Sequence, residues 1–402
     1  MLGSKTKTYA SSGRTQEQDV KGEYFPDSVV DPFVKSVRGV MPGAFQKTLA
    51  DPAAFAAMKD GARDIAVIDP ATGKPRPLSL DESKALVVAA LKNYDPALGA
   101  KAETILNDRL QIRNFSDVPK KDLQQQYVPI GAKTKQGKVD PHGGNIRYDF
   151  LNGTIDDPVM LAHETGHAIA DDYIRERGLA SSNFRDNIPE TQAYFIQNIV
   201  YDYLRNKQPD AGIRAAADRH FTATMSRNVY NLAISDVARD AQTALNEGRD
   251  FNAGDALTAR LGPGWKDYKW ARDVRDKINA AQRASKDPAV SDAHRKTALD
   301  KLDVEARYMH GRPMSILTAR ALLTKAQGQD DATKQRVNDM LMGRQGLQNI
   351  VSTMSADGID SADQMKKQAL AAVKSSTASL SAPQPGPDAD PALAGMQGPA
   401  PS

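Results

Sequence analysis

The chain contains no cysteine. That excludes disulfides, a cysteine nucleophile and a cysteine-ligated structural zinc, and it leaves the compartment open. No apolar run approaches the ~20 residues that a membrane-spanning helix needs. Met1 to Gln18 are polar and lack the apolar stretch of a secretory signal. A cytoplasmic location is therefore expected, with secretion by a route that uses no cleaved apolar signal as the alternative. Net charge is also scarce. At +3 over 402 residues, with basic and acidic side chains interspersed, the chain carries no electrostatic footprint for nucleic acid or for an anionic membrane. Even Lys120-Lys121 is followed at once by Asp122. No internal repeat is visible.

What is present is ordinary for a globular protein: 40% hydrophobic and 26% charged residues, in a chain long enough for one large core or two smaller ones. Residues 1–24 read as a flexible leader and 375–402, with six prolines among Ser, Ala and Gly, as a disordered tail. Between them, residues 25–144 read as a mostly helical N-terminal region, and 145–374 as a catalytic core with a helical C-terminal region. Short helices are expected between residues 25 and 59. Ile65–Ile68 reads as β, followed by a turn cluster ending at Pro75. Ser79-Leu-Asp-Glu82 is a capping box that opens a helix, and Asp95-Pro96 starts another. Residues 111–144 read as a long loop of functional interest. Asn145–Leu151 alternates polar and apolar residues and reads as a strand whose free edge could hold an extended peptide. Beyond Pro209 helices are expected at 212–225, 228–247, 266–285, 291–309, 314–327, 331–343 and 361–374, with Gly262-Pro-Gly264 and Gly311-Arg-Pro313 as breaks. The fold class is thus mainly α with a small β-sheet.

The chemistry concentrates in His163-Glu164-Thr-Gly-His167. On a helix, positions four apart share a face one turn apart, so both imidazoles can reach one metal ion while Glu164 reaches a water beside it. With six histidines and nine glutamates, random placement gives roughly 0.002 such matches in a chain of this length. The context is helical: Asp156 or Asp157 can cap, Pro158 suits the first turn and Gly178 can end the helix. A catalytic zinc takes three protein ligands and keeps one open position. A third histidine six residues after His167 is absent, because position 173 is Tyr and position 170 is Ala. Asp171 lies eight residues past His163, about 12 Å along the axis, and is too far. Glu190 fits best. It starts the next apolar helix, Pro189–Arg205, beyond a loop long enough to reverse the chain. Asp186 and Asp202 are the alternatives.

HExGH followed by a glutamate on the next helix resembles the gluzincin class of zinc metallopeptidases. The segment Arg185-Asp-Asn-Ile-Pro-Glu190-Thr-Gln192 is similar to the one carrying the third ligand in the thimet oligopeptidase family. The resemblance covers about 45 of the 402 residues. It implies a zincin-like core with one Zn2+ per chain on His163, His167 and Glu190, and a water whose pKa falls towards ~7. Glu164 would accept that water's proton during attack on a peptide carbonyl and pass it to the leaving amine. Related peptidases place substrate-binding His and Tyr residues in a C-terminal helical region, which makes Tyr308 and His310 candidate oxyanion donors; His220 is a weaker one. His142 and His294 read as surface residues. A peptide or protein substrate is the expected partner. A zinc hydrolase of a non-peptide amide or ester, and a non-catalytic helical interaction protein, are the competing classes.

Overall fold

The computed structural model describes residues 63–112, 125–129, 143–149, 151–176 and 187–327, with residues 50, 55, 56, 58, 138 and 337. The leader, most of the 25–59 helices, the helices past residue 330, the tail, Gly178, Asp186 and His142 lie outside these. Within them the fold is mainly α with two small sheets, as the hydrophobic periodicity requires.

Strands β1 (Val67–Ile68) and β2 (Pro75–Arg76) pair antiparallel across the Asp69–Lys74 turn. Helix α1 (Leu80–Tyr94) begins where the Ser79 hydroxyl accepts the Glu82 N–H. The Asp95 carboxylate accepts from Ala97 and Leu98 and starts α2 (Pro96–Asp108). The second sheet holds β3 (Leu110–Ile112), β4 (Gln125–Tyr127) and β5 (Ile146–Tyr148) in the order β3-β5-β4. Two expectations change here. The stretch 111–144 is not all loop, because it supplies β4 and most of β3. And β5 has no free edge: it is the central strand, parallel to β3 and antiparallel to β4. The edge is β4.

Helix α3 (Asp156–Glu176) carries the HExxH residues and α4 (Asn187–Asn206) carries Glu190. Next come α5 (Ala211–Asn246), α6 (Ala253–Leu261), a 3-10 turn at Pro263–Asp267, α7 (Lys269–Lys286) and α8 (Asp292–Ala326). Gly262, at φ 78°, breaks the chain between α6 and the 3-10 turn as expected. The expected break between residues 285 and 291 also occurs, but two others do not. Helix α5 runs through residues 226–227, where buried Ser226 returns its hydroxyl to the Thr222 carbonyl. Helix α8 runs through Pro313. A proline inside a helix costs about 3 kcal/mol through the lost N–H bond. Here residues 313–319 are all buried, and α8 packs along both α4 and α5, so packing outweighs the missing bond.

One apolar core joins these elements, from Val67 to Ala326. Helix α3 lies inside it, against α1, α2, α4 and the sheet. Its start is fixed by Asp157, a fully buried carboxylate that accepts the backbone N–H groups of Asn152 (3.0 Å) and Gly153 (2.7 Å). Asp157→Ala leaves two half-buried backbone donors without this charged acceptor and should cost about 1–3 kcal/mol. A urea melt should show this as a lowered midpoint, while Asp81→Ala, exposed in the first turn of α1, should leave the midpoint nearly unchanged.

Candidate metal centre

His163 and His167 sit one turn apart on α3 with ring centroids 4.9 Å apart. Helix α4 passes antiparallel: Gln197 meets His163, Ala193 meets Gly166, and Glu190 lies at both imidazoles. Glu190 Oε2 is 3.6 Å from His163 Nε2, and Oε1 is 3.9 Å from His167 Nε2. One ligand atom from each residue lies within 4.8 Å of the others, a group that could hold a metal ion. Ligands 2.0–2.2 Å from a shared tetrahedral ion are about 3.3–3.5 Å apart. The cluster therefore needs only a slight contraction to fit one. Glu190 Oε2 adds a second sign of fit: it is sealed from solvent and has no hydrogen-bond donor among the described residues.

The protonation states suit a cation. Burial pushes the His163 imidazole down to about 3 and lowers His167 as well, so both rings are neutral and offer lone pairs. For Glu190, burial favours the acid form, but Arg312 together with the two facing imidazoles outweighs it and holds the carboxyl below its ordinary value. The Glu164 carboxyl is pushed up to about 8. Desolvation is the main cause, opposed by a 2.5 Å hydrogen bond from the Tyr127 N–H to Oε2, then reinforced by the Glu190 anion.

That Tyr127 bond places the small sheet. Val128 donates its N–H to Asn145 on the β5 side, so strand alternation turns the Tyr127 N–H outward, to α3. The Tyr127 hydroxyl donates to Asp171 two turns along the same helix, at 2.5 Å. Edge strand and helix are thus joined at both ends of one residue. Asp171 is engaged there and takes no part in the cluster.

The remaining sequence candidates separate cleanly. Asp202, considered as a ligand, pairs with Arg320 at 2.5 Å and is far from the cluster. His294 is exposed at the start of α8, as expected. His220 is buried between Tyr201 and Asp156 rather than facing the cluster. Tyr308 and His310 fall on α8, and their side chains lie outside what the structure describes. Two residues escaped the sequence reading. The Gln197 amide oxygen accepts at His163 Nδ1 (3.0 Å), and Tyr194 lies 4.8 Å ring to ring from His163. Spacing could have found both, since Tyr194 and Gln197 follow Glu190 by four and seven residues on one helical face. Arg312, two residues past His310, acts electrostatically on all four site side chains.

No family model matches the chain, and no curated protein matches it. Among solved structures, oligoendopeptidase-F from Enterococcus faecium is similar at a TM-score of 0.48 and 14% sequence identity, over 92% of this chain and 55% of that one. This chain spans about half the length of that protein. The likeness is too distant to carry an activity across. Among the described residues, no helix is long and apolar enough to cross a membrane.

The contact beneath the site is Gly166 against Ala193. A Cβ on residue 166 would stand 2.7 Å from the Ala193 Cα and 3.2 Å from its carbonyl oxygen, both rigid backbone. On an open helix surface Gly→Ala gains about 1 kcal/mol. Here overpacking, at about 1–3 kcal/mol, should win and spread the two helices. Gly166→Ala should therefore melt earlier than wild type and bind Zn2+ at least about tenfold more weakly in a chelator competition.

Proposed function

We propose that this protein is a zinc-dependent metallopeptidase in which His163, His167 and Glu190 hold the metal and Glu164 is the general base. One observation carries the reading: three ligand atoms of suitable type converge within 4.8 Å beside a buried carboxylate that is anchored to an edge strand. Two neutral imidazoles and one carboxylate form a donor set that Zn2+ takes in catalytic sites. The bound ion would polarise a substrate carbonyl and acidify a water at the site.

The chain's own residues supply the rest. Tyr127 engages Glu164 Oε2, which directs Oε1 to take a proton from the attacking water and return it to the leaving amine. The raised pKa of Glu164 suits a group that must hold a proton between those two events. Arg312 brings a positive charge that acts on the whole cluster and would stabilise a developing oxyanion. Tyr308 and His310, on the same stretch of α8, are candidates for the same task. A peptide substrate is favoured by β4. It is an outer strand of its sheet, lies against the helix beside Glu164, and could pair with an extended chain through the main-chain groups that Glu164 does not take.

The test combines metal content with cleavage of a diverse peptide mixture followed by mass spectrometry. Wild type and Glu164→Gln should both hold near-stoichiometric zinc, with cleavage falling about 10²–10⁴-fold in the variant. Glu190→Ala should lose the metal. Equal cleavage by wild type and Glu164→Gln would overturn the mechanism. Full zinc with no peptide cleaved would move the activity to a non-peptide amide or ester.

A further inference from the structure

Glu164 and Asp171 are two turns apart on α3 and share one face of the helix. That face meets the small sheet, while the imidazoles of His163 and His167 stand about 60–100° around the helix, against α4. Tyr127, the last residue of β4, spans the two turns. Its N–H donates to Glu164 Oε2 at 2.5 Å, and its hydroxyl donates to Asp171 Oδ2 at 2.5 Å. None of the three is more than 9% exposed. The next carboxylate along, Asp172, accepts both terminal nitrogens of Arg109 at 2.8 Å, and Arg109 immediately precedes β3. Adjacent carboxylates on one helix thus hold the two outer strands of the sheet, Asp172 at β3 and Asp171 at β4.

One hydrogen bond fixes a distance and leaves rotation free, whereas two bonds from one residue also fix its direction. This matters because β4 is three residues long and sits at the edge of the sheet, paired on one side with β5. Without the hydroxyl contact, the N–H contact to Glu164 becomes a pivot about which so short a strand can swing. Glu164 cannot correct for that swing. Its side chain turns about three bonds, and among the described residues the Tyr127 N–H is the one donor to its carboxylate. The aim of that carboxylate depends on where β4 is held, and β4 is held at Asp171.

We propose that the Tyr127 hydroxyl and Asp171 form a buckle between edge strand and helix that sets the aim of the Glu164 carboxylate. The proposal rests on the metallopeptidase reading above. Both are positioning residues, acting on the chemistry through the Tyr127 N–H. A hydrogen bond to a charged acceptor in a buried setting is among the stronger ones available to a side chain, so the buckle is firm enough for the task. The same contact serves the peptide, since a chain paired with β4 is held in step with the carboxylate beside it.

Amide hydrogen exchange reads the buckle without metal or substrate. In wild type the residue 127 amide should be protected, and Glu164→Ala should release it; ready exchange in wild type would overturn the proposal. Tyr127→Phe keeps the ring and the N–H and removes only the hydroxyl. Its residue 127 amide should exchange about 10–100-fold faster, the effect of losing a hydrogen bond to a charged group. With peptide, kcat should fall at least about tenfold, while Zn2+ affinity stays at the wild-type value. Asp171→Ala should speed the same amide, and the double variant should add little to either change alone; additive losses would mean two unrelated contributions and no buckle. Asp236→Asn breaks a buried ion pair to Arg260 between α5 and α6. It controls for general destabilisation and should keep wild-type kcat and residue 127 exchange. Wild-type exchange in Tyr127→Phe would refute the buckle and leave the metal site intact. Faster exchange at unchanged kcat would reduce it to a structural contact and equally refute the proposal. If wild type cleaves no peptide, the metallopeptidase reading falls and the buckle's catalytic purpose with it, while the exchange data still decide whether β4 is fastened to α3.

Discussion

The close approach of α3 to α4 sets every distance at the site. With no side chain at Gly166, the backbone of α3 rests against Ala193. From that contact the periodicity of two antiparallel helices does the rest. His163 and His167 stand on either side of Gly166, and Glu190 and Gln197 stand on either side of Ala193. Glu190 supplies the carboxylate to both rings and Gln197 supplies the amide to His163. A wider separation would leave the same residues in the same order with nothing to share.

Burial then turns packing into precision. Helix α3 is enclosed on nearly every side, yet it carries Asp156, Asp157, His163, Glu164, Asp171 and Asp172, all buried. An unpaired buried polar group costs several kcal/mol, so each needs a partner from another element. Asp156 has His220, Asp157 has the Asn152 and Gly153 amides, Asp172 has a bidentate Arg109, and Tyr127 serves both Glu164 and Asp171. These partners come from the sheet, the segment preceding the helix, α2's C-terminal cap and α5. A rotation of α3 by a fraction of a turn would break several at once. The side chains of the cluster are thereby held from several elements at once. Glu190 Oε2 stands apart from this pattern, and it is the atom that faces the imidazoles.

The parts of this design that follow a helical period are the parts a sequence displays. His163 and His167 at i and i+4, and Glu190 at the head of the next apolar helix, needed only the 3.6-residue repeat and a reversing loop. Strands β3 and β4 are three residues each, and Gln125-Gln126-Tyr127 has no alternation to mark it. They exist because β5 and α3 give them something to pair with, a tertiary cause with no local signature. The same holds for α8. Gly311 and Pro313 are breakers by local rules, and they are overruled because that turn of helix is buried against α4 and α5.

His220 shows the limit most clearly. It is separated by 64 residues from Asp156 and by 19 from Tyr201, and its neighbours in the chain, Arg219 and Phe221, say nothing about either. Its role depends on how α5 crosses the first turn of α3, which no periodicity records. Yet the α4 residues that face these histidines are periodic: Glu190, Tyr194, Gln197 and Tyr201 follow one another at four, three and four residues. Polar and aromatic side chains along one stripe of an otherwise apolar helix must either meet solvent or meet each other. On a helix as apolar as α4 they meet partners on neighbouring helices: His163 for Glu190, Tyr194 and Gln197, and His220 for Tyr201.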